Sequence, residues 1–559
     1  MLPWLGRRVR GFGSRDTWGA DLRAGLTLGV QSVPDGLASG LLAGVNPANG
    51  LYAYLVGTAA GAMATSSVFM SVQATGAMSV LVADVPALHG GPDAASALFT
   101  LSVLTGVVML TLGLLRLGTL VRFVPNSVLT GFINAVAVNI VLGQLANFTG
   151  YKSGADNRVT RALDTVLHLP SWSWASVAIG VLTLILILVL ERTPAGALGL
   201  VIAVIVASAV AAVANLNGVA TLDDVAQVPG TLPRLSIPNL SLLGGLLVPA
   251  LSLALVGLVQ GAAISSSIPN PDGRYPDTSG DFRGQGVANI ASGLLQGMPV
   301  GGSMSATALV RAAGARSRLA NLVATVVMAV LIVVFGGVLG HIAMPALAAL
   351  LMLVGVRSFK LEKVLTVWRT GPTQAVTMAV TFVLTLLVPL QYAVLVGVGL
   401  SVVLHVFQQS NKVTIRRWAF TSAGLVVEGE VPARLPADEV VVLQPYGSLF
   451  FAAAPVFESQ LPTVDEASSG SVVVLRLRGE QELGSTFIGV TRRYAEQLDA
   501  AGSRLMLAGV SDGVLGQLRA TGTLRVLGAE AVFVATPVVT ESLREAVAAA
   551  EAWRSARSG

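Results

Sequence analysis

The chain has 559 residues, of which 53% are hydrophobic and 12% are charged, and its formal net charge is +5. Soluble proteins carry about 25% charged residues, so this composition argues against a single soluble globular protein and excludes a disordered or fibrous chain. The absence of cysteine excludes disulfides, iron–sulfur clusters, cysteine zinc sites and thiol catalysis. The chain has no basic cluster with interleaved aromatic residues, which is the pattern that would indicate a nucleic-acid partner.

Residues 1–23 form a short segment whose first part is basic. Arg7, Arg8, Arg10 and Arg15 lie in it, but it has neither an apolar stretch nor a cleavage site. It is therefore not a signal peptide, and we expect it to be a cytoplasmic N-terminal segment.

From residue 24 to residue 410 the chain is a series of apolar segments, many of them near the ~20 residues that cross a bilayer as a helix. We predict a polytopic α-helical membrane domain whose spans are Ala24–Ala43, Leu51–Ser66, Val68–Val85, Ala97–Leu115, Pro125–Leu145, Trp174–Leu190, Ala195–Val213, Leu242–Ile268, Val287–Leu295, Ser303–Ala313, Leu319–Leu339, Ile342–Val354, Gln374–Pro389 and Tyr392–Phe407. These are about fourteen, and several are too short or too rich in Gly and Ser to be ordinary spans.

The distribution of arginine predicts the orientation of these spans, because cytoplasmic loops carry an excess of Lys and Arg. With the N-terminus inside, the outside loops hold no Lys or Arg at Asn46–Gly50, Asp84–Asp93, Gly297–Gly301 and Leu390–Gln391. The loop Lys152–Arg161 and the lone Arg234 are the exceptions. We expect a multi-pass protein of the plasma (inner) membrane with both termini in the cytoplasm.

The composition changes at residue 411, where charged residues become frequent and strand-like runs alternate with helical ones. The predicted strands are Glu439–Leu443, Ser448–Ala452, Ser471–Arg476 and Arg504–Ala508, and the predicted helices are Phe457–Leu461, Phe487–Ala501, Ser511–Thr521 and Thr540–Arg554. Alternation of this kind predicts a small cytoplasmic α/β domain over residues 411–559, with a central sheet.

The apolar region consists of two related halves. Ala24 and Leu242 open corresponding segments, as do Pro125 and Ile342, at an offset of roughly 220 residues. Each half holds one interrupted segment, Ser71–Ser79 and Pro299–Ala308. Seven spans per half is an odd number, so the two halves must have opposite topology. Inverted repeats with paired Gly/Pro-interrupted segments indicate the binding site of a secondary transporter.

A helix that starts in mid-membrane leaves its first N–H groups unpaired, and its N-terminus carries roughly half a positive charge. Two such ends facing one another form an anion site without any arginine. The candidate anion-binding residues of the two segments are Thr75, Gly76, Ser79, Gly302, Ser303, Met304 and Ser305. The alternative is that these small residues only form helix contacts, as they often do in membranes.

Three stretches resemble the SulP family of sulfate permeases and related anion exchangers. They are Gly25–Ala53, which resembles the first-span signature, Phe123–Leu145, and Gly297–Ala308 with Ala313–Ala320. The stretch Tyr446–Phe451 resembles an early strand of the STAS domain that follows the membrane domain in that family. The resemblance implies seven-plus-seven inverted repeats, core and gate domains, an elevator-type motion and a homodimer. It implies sulfate, bicarbonate, chloride or dicarboxylate as the substrate.

The chain departs from the family pattern at three membrane positions. Ala306 stands where the family commonly has arginine, so a fixed positive charge near the site is missing. Gln260 stands where sodium-dependent members carry a carboxylate for ion coupling, which makes a sodium site of that kind doubtful. Asp35 follows Pro34 where the family often has glutamine.

Asp35 is the only carboxylate within the first predicted span. A charged residue at this depth costs about 2.5–3.5 kcal/mol on insertion scales, which makes Asp35 a functional candidate. Our hypothesis is that it is a proton-coupling carboxylate beside the anion site. The alternative is that Pro34 breaks the helix and that Asp35 accepts hydrogen bonds from the freed backbone N–H groups.

Gln31 and Gln73 are polar residues in the first and third predicted spans. Each could donate a hydrogen bond to the anion, or could bond a neighbouring helix instead. The histidines lack metal-ligand spacing, so we expect no metal site. In the C-terminal region Glu482–Gly489 lacks the Asp that precedes the phosphorylated Ser or Thr in many STAS domains, and Ser485 and Thr486 are predicted to cap a helix.

These observations predict a secondary active transporter of inorganic anions, with sulfate or bicarbonate as the leading substrate and a proton or sodium ion as the candidate co-substrate. The alternative is an anion channel, or a chloride or dicarboxylate exchanger, of the same fold. A membrane enzyme would need intramembrane acid–base or metal clusters, and a pump would need a phosphate-binding loop; neither is present. No cofactor is expected.

Overall fold

The structure is a computed structural model that describes residues 15–118, 125–155, 157–193, 196–216, 218–225, 230–388, 390–421 and 425–558. Most of the N-terminal segment 1–23, together with Phe123, Val124, Ala195 and Pro389 of the sequence motifs and spans, lies outside these residues. The chain divides into two compact units, Met1–Ser401 and Val402–Gly559. The division falls inside the last helix of the membrane region, slightly before the boundary expected at residue 410.

The first unit repeats one order of elements twice. The first half contains α1 (Trp18–Leu42), α2 (Pro47–Ala64), β1 (Ser71–Gln73), α3 (Gly76–Ala83), α4 (Ala94–Leu114), α5 (Asn126–Thr149), α6 (Arg158–Leu167), α7 (Trp174–Leu190) and α8 (Gly199–Val213). The second half contains α9 (Leu243–Ser267), α10 (Thr278–Leu294), β2 (Gly301–Ser303), α11 (Met304–Ala312), α12 (Leu319–Leu339), α13 (Met344–Ser358), α14 (Leu361–Thr370), α15 (Pro372–Leu387) and α16 (Leu390–Ser410). The expected α-helical polytopic fold with two related halves is confirmed.

Five helical stretches of the described residues are long and apolar enough, by length and composition, to cross a membrane. They are Ala94–Leu114, Asn126–Thr149, Leu240–Ser267, Leu319–Leu339 and Met344–Thr370. Three shorter apolar helices are α7, α8 and α15. Helices α6 and α14, which were not predicted from the sequence, occupy corresponding places in the two halves. Each has ten residues and one apolar face, the pattern of a helix that lies along a surface.

The membrane helices pack as two groups. We call α1–α4 with α9–α12 the core, and α5–α8 with α13–α15 the gate, because the extensive helix contacts fall within these groups. Small residues permit the close packing: a Cβ added to Gly106 of α4 would lie 2.6 Å from the carbonyl oxygen of Gly286 in α10. In the gate, a Cβ on Gly131 of α5 would lie 2.4 Å from the Met378 carbonyl oxygen. Close backbone approach at small residues is the usual way in which helices associate inside a bilayer.

The second unit is an α/β domain with a six-stranded sheet in the order β4-β3-β5-β6-β7-β8. The strands are β3 (Thr414–Phe420), β4 (Val426–Gly429), β5 (Val440–Tyr446), β6 (Val472–Arg476), β7 (Arg504–Val510) and β8 (Val532–Val534). The helices are α17 (Ala454–Gln460), α18 (Ser485–Ala500), α19 (Asp512–Ala520), α20 (Thr523–Leu527) and α21 (Glu541–Ser558). The four strands β5 to β8 are parallel and β3 and β4 are antiparallel. Both faces of the sheet are apolar and are covered by helices.

Two local predictions for this domain were wrong. Ser448–Ala452 is not a strand, because β5 ends at Tyr446 and Gly447 adopts φ +99°, after which the chain turns into a short 3-10 helix at Phe451–Ala453. Ser485 and Thr486 do not cap α18. Gly484 is its N-cap residue and no side-chain cap bond forms there, so both hydroxyl groups lie exposed within the first turn.

Candidate functional site

The two interrupted segments meet in a short antiparallel ribbon. Ser71 of β1 pairs with Ser303 of β2, and Gln73 pairs with Gly301. Helix α3 begins three residues after β1 and α11 follows β2 directly. Because the strands are antiparallel, the two helices leave the ribbon from opposite ends and run in opposite directions. Both N-termini are therefore directed towards the ribbon.

Each half-helix has a hydroxyl N-cap. The Thr75 hydroxyl accepts a hydrogen bond from the Met78 N–H, and the Ser303 hydroxyl accepts one from the Ala306 N–H, each at 3.3 Å. The N–H groups of the first two residues of each helix have no intrahelical acceptor. They add to the partial positive charge of the helix ends, so the ribbon carries donors at both ends without a basic side chain.

A polar stripe on α10 holds the second strand in place. Gln285 accepts a hydrogen bond from the Gly302 N–H at 3.0 Å through Oε1. One turn later Asn289 accepts from the Val300 N–H at 2.8 Å and donates to the Val300 carbonyl oxygen at 2.6 Å. Both side chains are fully buried. They replace the partners that an interrupted backbone lacks inside a membrane protein.

The same stripe begins with Asp281, which holds the segment that enters β1. Its carboxylate accepts hydrogen bonds from the N–H and hydroxyl groups of Ser66 and Ser67 and from the Ser265 hydroxyl, at distances between 2.5 and 2.8 Å. Arg318 lies against the same segment and donates to the Ala62 and Ser66 carbonyl oxygens. A buried carboxylate is stable here because every oxygen has several donors.

Helix α9 forms the wall behind the ribbon. The Thr75 hydroxyl donates to Oε1 of Gln260 at 3.0 Å, which ties the start of α3 to α9. A Cβ on Gly302 would lie 3.1 Å from the Cα of Gly261, and one on Gly301 would lie 3.2 Å from the Cα of Gly257. The glycines let β2 lie flat against this wall. Gln260 therefore lies beside the ribbon and in contact with the residue that caps α3.

The gate covers one end of the ribbon and leaves the other open. A Cβ on Gly76, at the start of α3, would lie 2.7 Å from the Ile140 side chain of α5. In contrast, Met304 and Ser305, at the start of α11, are exposed. Among the described residues the Ser305 hydroxyl forms a hydrogen bond only with the Ser303 hydroxyl, at 3.3 Å. The second half-helix is therefore the accessible side of the site.

The remaining candidates differ in what their side chains do. Gln73 uses both amide hydrogens on neighbouring helices, since it donates to the Ser32 and Thr58 hydroxyls at 3.0 and 3.2 Å. This geometry favours the helix-bonding alternative for Gln73. The Ser79 hydroxyl and Oε1 of Gln31 are buried without a hydrogen-bond partner among the described residues. These two remain candidates for a ligand or a co-substrate.

Asp35 lies in the middle of α1, one turn after Gln31. Helix α1 is continuous from Trp18 to Leu42 through Pro34, so the alternative of a helix broken at Pro34 is wrong. One turn after Asp35, the Ser39 hydroxyl donates to the Ala74 carbonyl oxygen at 3.4 Å. Asp35 is therefore one helical turn from a contact with the residue before Thr75.

Two further features bear on charge. Ala306 lies in an apolar cluster with Ala24, Leu28 and Val310, so the position where the family commonly has arginine is filled by a methyl group. The described residues contain no group of three or more His, Asp or Glu side chains that could hold a metal ion.

Asp281, Gln285 and Asn289 were not among the residues predicted from the sequence. Their spacing of four residues places them on one face of a helix, within a segment that is otherwise rich in Gly and Ala. The spacing of these polar residues beside an interrupted segment could have been recognised in the sequence. The groups to which they hydrogen-bond could be assigned only from the tertiary structure.

The fold and the paired half-helices define a multi-pass membrane transporter rather than an enzyme. The model of the sulfate permease family matches residues 19–381. The chain belongs to the sulfate permease family. A probable sulfate transporter of Mycobacterium tuberculosis is 26% identical over 534 residues, which cover 94% of this chain and 95% of the relative.

Two solved structures share the fold. The murine solute carrier 26 family member A9 anion transporter in the inward-facing state superimposes with a TM-score of 0.85 at 19% identity, over 99% of this chain and 93% of that chain. The transmembrane domain of a cyanobacterial bicarbonate transporter gives a TM-score of 0.59 at 22% identity, over 68% of this chain and 98% of that chain.

Proposed function

We propose that the chain carries out secondary active transport of an inorganic anion, sulfate or bicarbonate, across the plasma (inner) membrane by an elevator-type mechanism. The observation that carries this proposal is the antiparallel ribbon with a capped half-helix at each end. It offers backbone N–H donors and two helix dipoles to one small anion. Membership of the sulfate permease family and the transport activities for which the relatives are named support an anion as the substrate.

The division into core and gate supports the elevator-type mechanism. Both half-helices belong to the core, whereas Ile140 and the surface helices α6 and α14 belong to the gate. Sliding the core along the gate would carry the whole anion site, without taking apart the hydrogen bonds of Asp281, Gln285 and Asn289. The exposed start of α11 and the covered start of α3 correspond to a site that is open on one side only.

We assign the open side to the cytoplasm on the basis of the loop arginines, with both chain termini inside. In this orientation α11 runs towards the cytoplasm and α3 towards the outside. Arg158, in the loop that departs from the arginine rule, is bound to Asp84 at 2.8 Å, so its charge is neutralised locally.

We further propose that the protein is a homodimer, and that residues 411–559 are a STAS-like domain with a role in assembly.

The first experiment removes one backbone donor from the site. Met304→Pro at the first position of α11 deletes its N–H but keeps the helix, because proline is favoured there and Ser303 already has an extended backbone. A hydrogen bond to a charged group is worth about 1.5–3 kcal/mol. We expect KM for the transported anion to rise about tenfold or more, measured as uptake of labelled sulfate and bicarbonate into proteoliposomes.

Met304→Leu is the matched control, since it changes the same exposed side chain and keeps the N–H. It should retain the KM of the unmodified protein. Equal KM values for the proline and leucine variants would contradict anion binding at α11. Uptake that does not saturate with anion concentration would instead support a channel, and uptake of chloride or dicarboxylate alone would identify a different substrate.

The second experiment tests proton coupling. If Asp35 carries the coupled proton, Asp35→Asn should abolish the stimulation of uptake by an inwardly directed proton gradient, while anion exchange without a gradient continues. Asp93→Asn, at an exposed outer position, is the control and should keep the stimulation. A proton response that survives in Asp35→Asn would remove the coupling role, and a sodium response would point to Gln260.

A further inference from the structure

The surface helix α6 of the gate is bound to the outer end of the half-helix α3. The guanidinium of Arg158, the first residue of α6, lies 2.8 Å from the Asp84 carboxylate and donates to the Val80 carbonyl oxygen at 3.3 Å. Asp84 is the C-cap residue of α3. The two side chains are only 19% and 18% exposed, so water screens this ion pair less than one on an open surface.

The end of α3 is suited to bind a cation. The Asp84 N–H donates to the carbonyl oxygens of Leu81 and Val82 rather than to that of Val80. This leaves the Val80 oxygen for Arg158, at the negative end of the helix dipole. The interaction joins a core element to a gate element, at the opposite end of α3 from the anion site. Core and gate cannot slide past one another at this point while it is formed.

The second half of the chain offers the same pair with the charges exchanged. Arg311 lies in the last turn of α11, the counterpart of α3, and Glu362 lies in the first turn of α14, the counterpart of α6. Both side chains are exposed, and neither forms an ion pair within the described residues. Glu362 lines an open cavity of about 410 Å³ together with Leu365, Thr366, Arg369 and Thr370.

We infer that Asp84–Arg158 and Arg311–Glu362 are alternating positioning pairs for transport, the first holding the site closed to the outside and the second holding it closed to the cytoplasm. The inference rests on the proposed elevator-type function and its orientation. Inverted repeats exchange their conformations when the core moves, so a contact formed by one half in one state has its counterpart in the other half in the opposite state. The present structure shows the first pair formed and the second pair apart.

Cysteine cross-linking tests the second pair directly, because the native chain contains no cysteine. Arg311→Cys with Glu362→Cys, in the otherwise unmodified full chain in membranes, should be joined by a bifunctional thiol reagent that spans the reach of an arginine–glutamate pair, because a direct disulfide requires Cα atoms within about 7 Å of one another. Adding Arg158→Gln should raise the rate of this cross-linking about threefold to tenfold, since it weakens the Asp84–Arg158 pair that holds the opposite conformation. Arg158→Lys should restore the lower rate in part, because it keeps the charge.

The control pair is Arg311→Cys with Lys363→Cys, in which the second cysteine is rotated by about 100° around α14. It should react more slowly and should not respond to Arg158→Gln. Failure of the first pair to cross-link, or a rate that Arg158→Gln leaves unchanged, would overturn the inference. Because cross-linking needs no substrate, this result is distinct from failure of the proposed function, which would appear as loss of saturable anion uptake in the unmodified protein.

Discussion

Asp281→Ala should lower the free energy of unfolding of the membrane unit by about 3–5 kcal/mol, the usual cost of removing one partner from a buried charged network. The substitution would leave the N–H and hydroxyl groups of Ser66 and Ser67 and the Ser265 hydroxyl without their acceptor. These residues lie in the chain segment that enters β1 and at the end of α9. Loss of the carboxylate therefore loosens the anchor of the ribbon as well as the core itself.

Thermal unfolding of the purified full chain in detergent is the measurement for this prediction. Asp281→Asn should also be destabilising, because its amide group would direct two hydrogens at groups that are themselves donors. Asp272→Ala is the matched control, since Asp272 is exposed and accepts one hydrogen bond, from the Arg274 N–H. It should stay within about 0.5 kcal/mol of the unmodified protein. Equal melting temperatures for Asp281→Ala and Asp272→Ala would show that the buried network contributes nothing to stability.

Asn289→Leu should abolish most anion uptake in a protein that still folds. Leucine has nearly the shape of asparagine but leaves both the N–H and the carbonyl oxygen of Val300 buried and unpaired, at a cost of about 1–3 kcal/mol for each group. A shift of β2 would relieve the unpaired groups of Val300, and it would displace Ser303 and the start of α11 at the same time. We expect uptake to fall more than tenfold, because the donors around an anion must be held in place for binding.

The control for this variant is Asn147→Leu, on α5 of the gate, where the lost hydrogen bond to Gln144 is partly buried and remote from the ribbon. It should keep most of the uptake. Size-exclusion profiles and melting temperatures of both variants separate a lost site from a lost fold. Full uptake in Asn289→Leu would mean that the position of β2 is set by its pairing with β1 alone.

The sequence by itself determined the class of the protein, its two halves and the two interrupted segments that contain the candidate site. These features follow from local properties: the length of apolar runs, and the small and hydroxyl residues of two interrupted segments that cannot continue as ordinary spans. The half-helix starts at Gly76 and Met304 lie within the segments in which they were expected. In the second unit, the strand predicted at Ser448–Ala452 failed because five residues of apolar composition do not reveal the turn that Gly447 begins.

Only the tertiary structure decided which polar side chains serve the site and which serve the fold. Gln73 and Asn289 are both amide side chains in Gly-rich surroundings, yet Gln73 bonds neighbouring helices and Asn289 bonds the interrupted strand. The pairing of Arg158 with Asp84 joins residues on separate helices, and nothing in their spacing predicts it. Inside a bilayer each buried polar group must find a partner. The partner is set by how the helices pack, and therefore by contacts between residues that are distant in sequence.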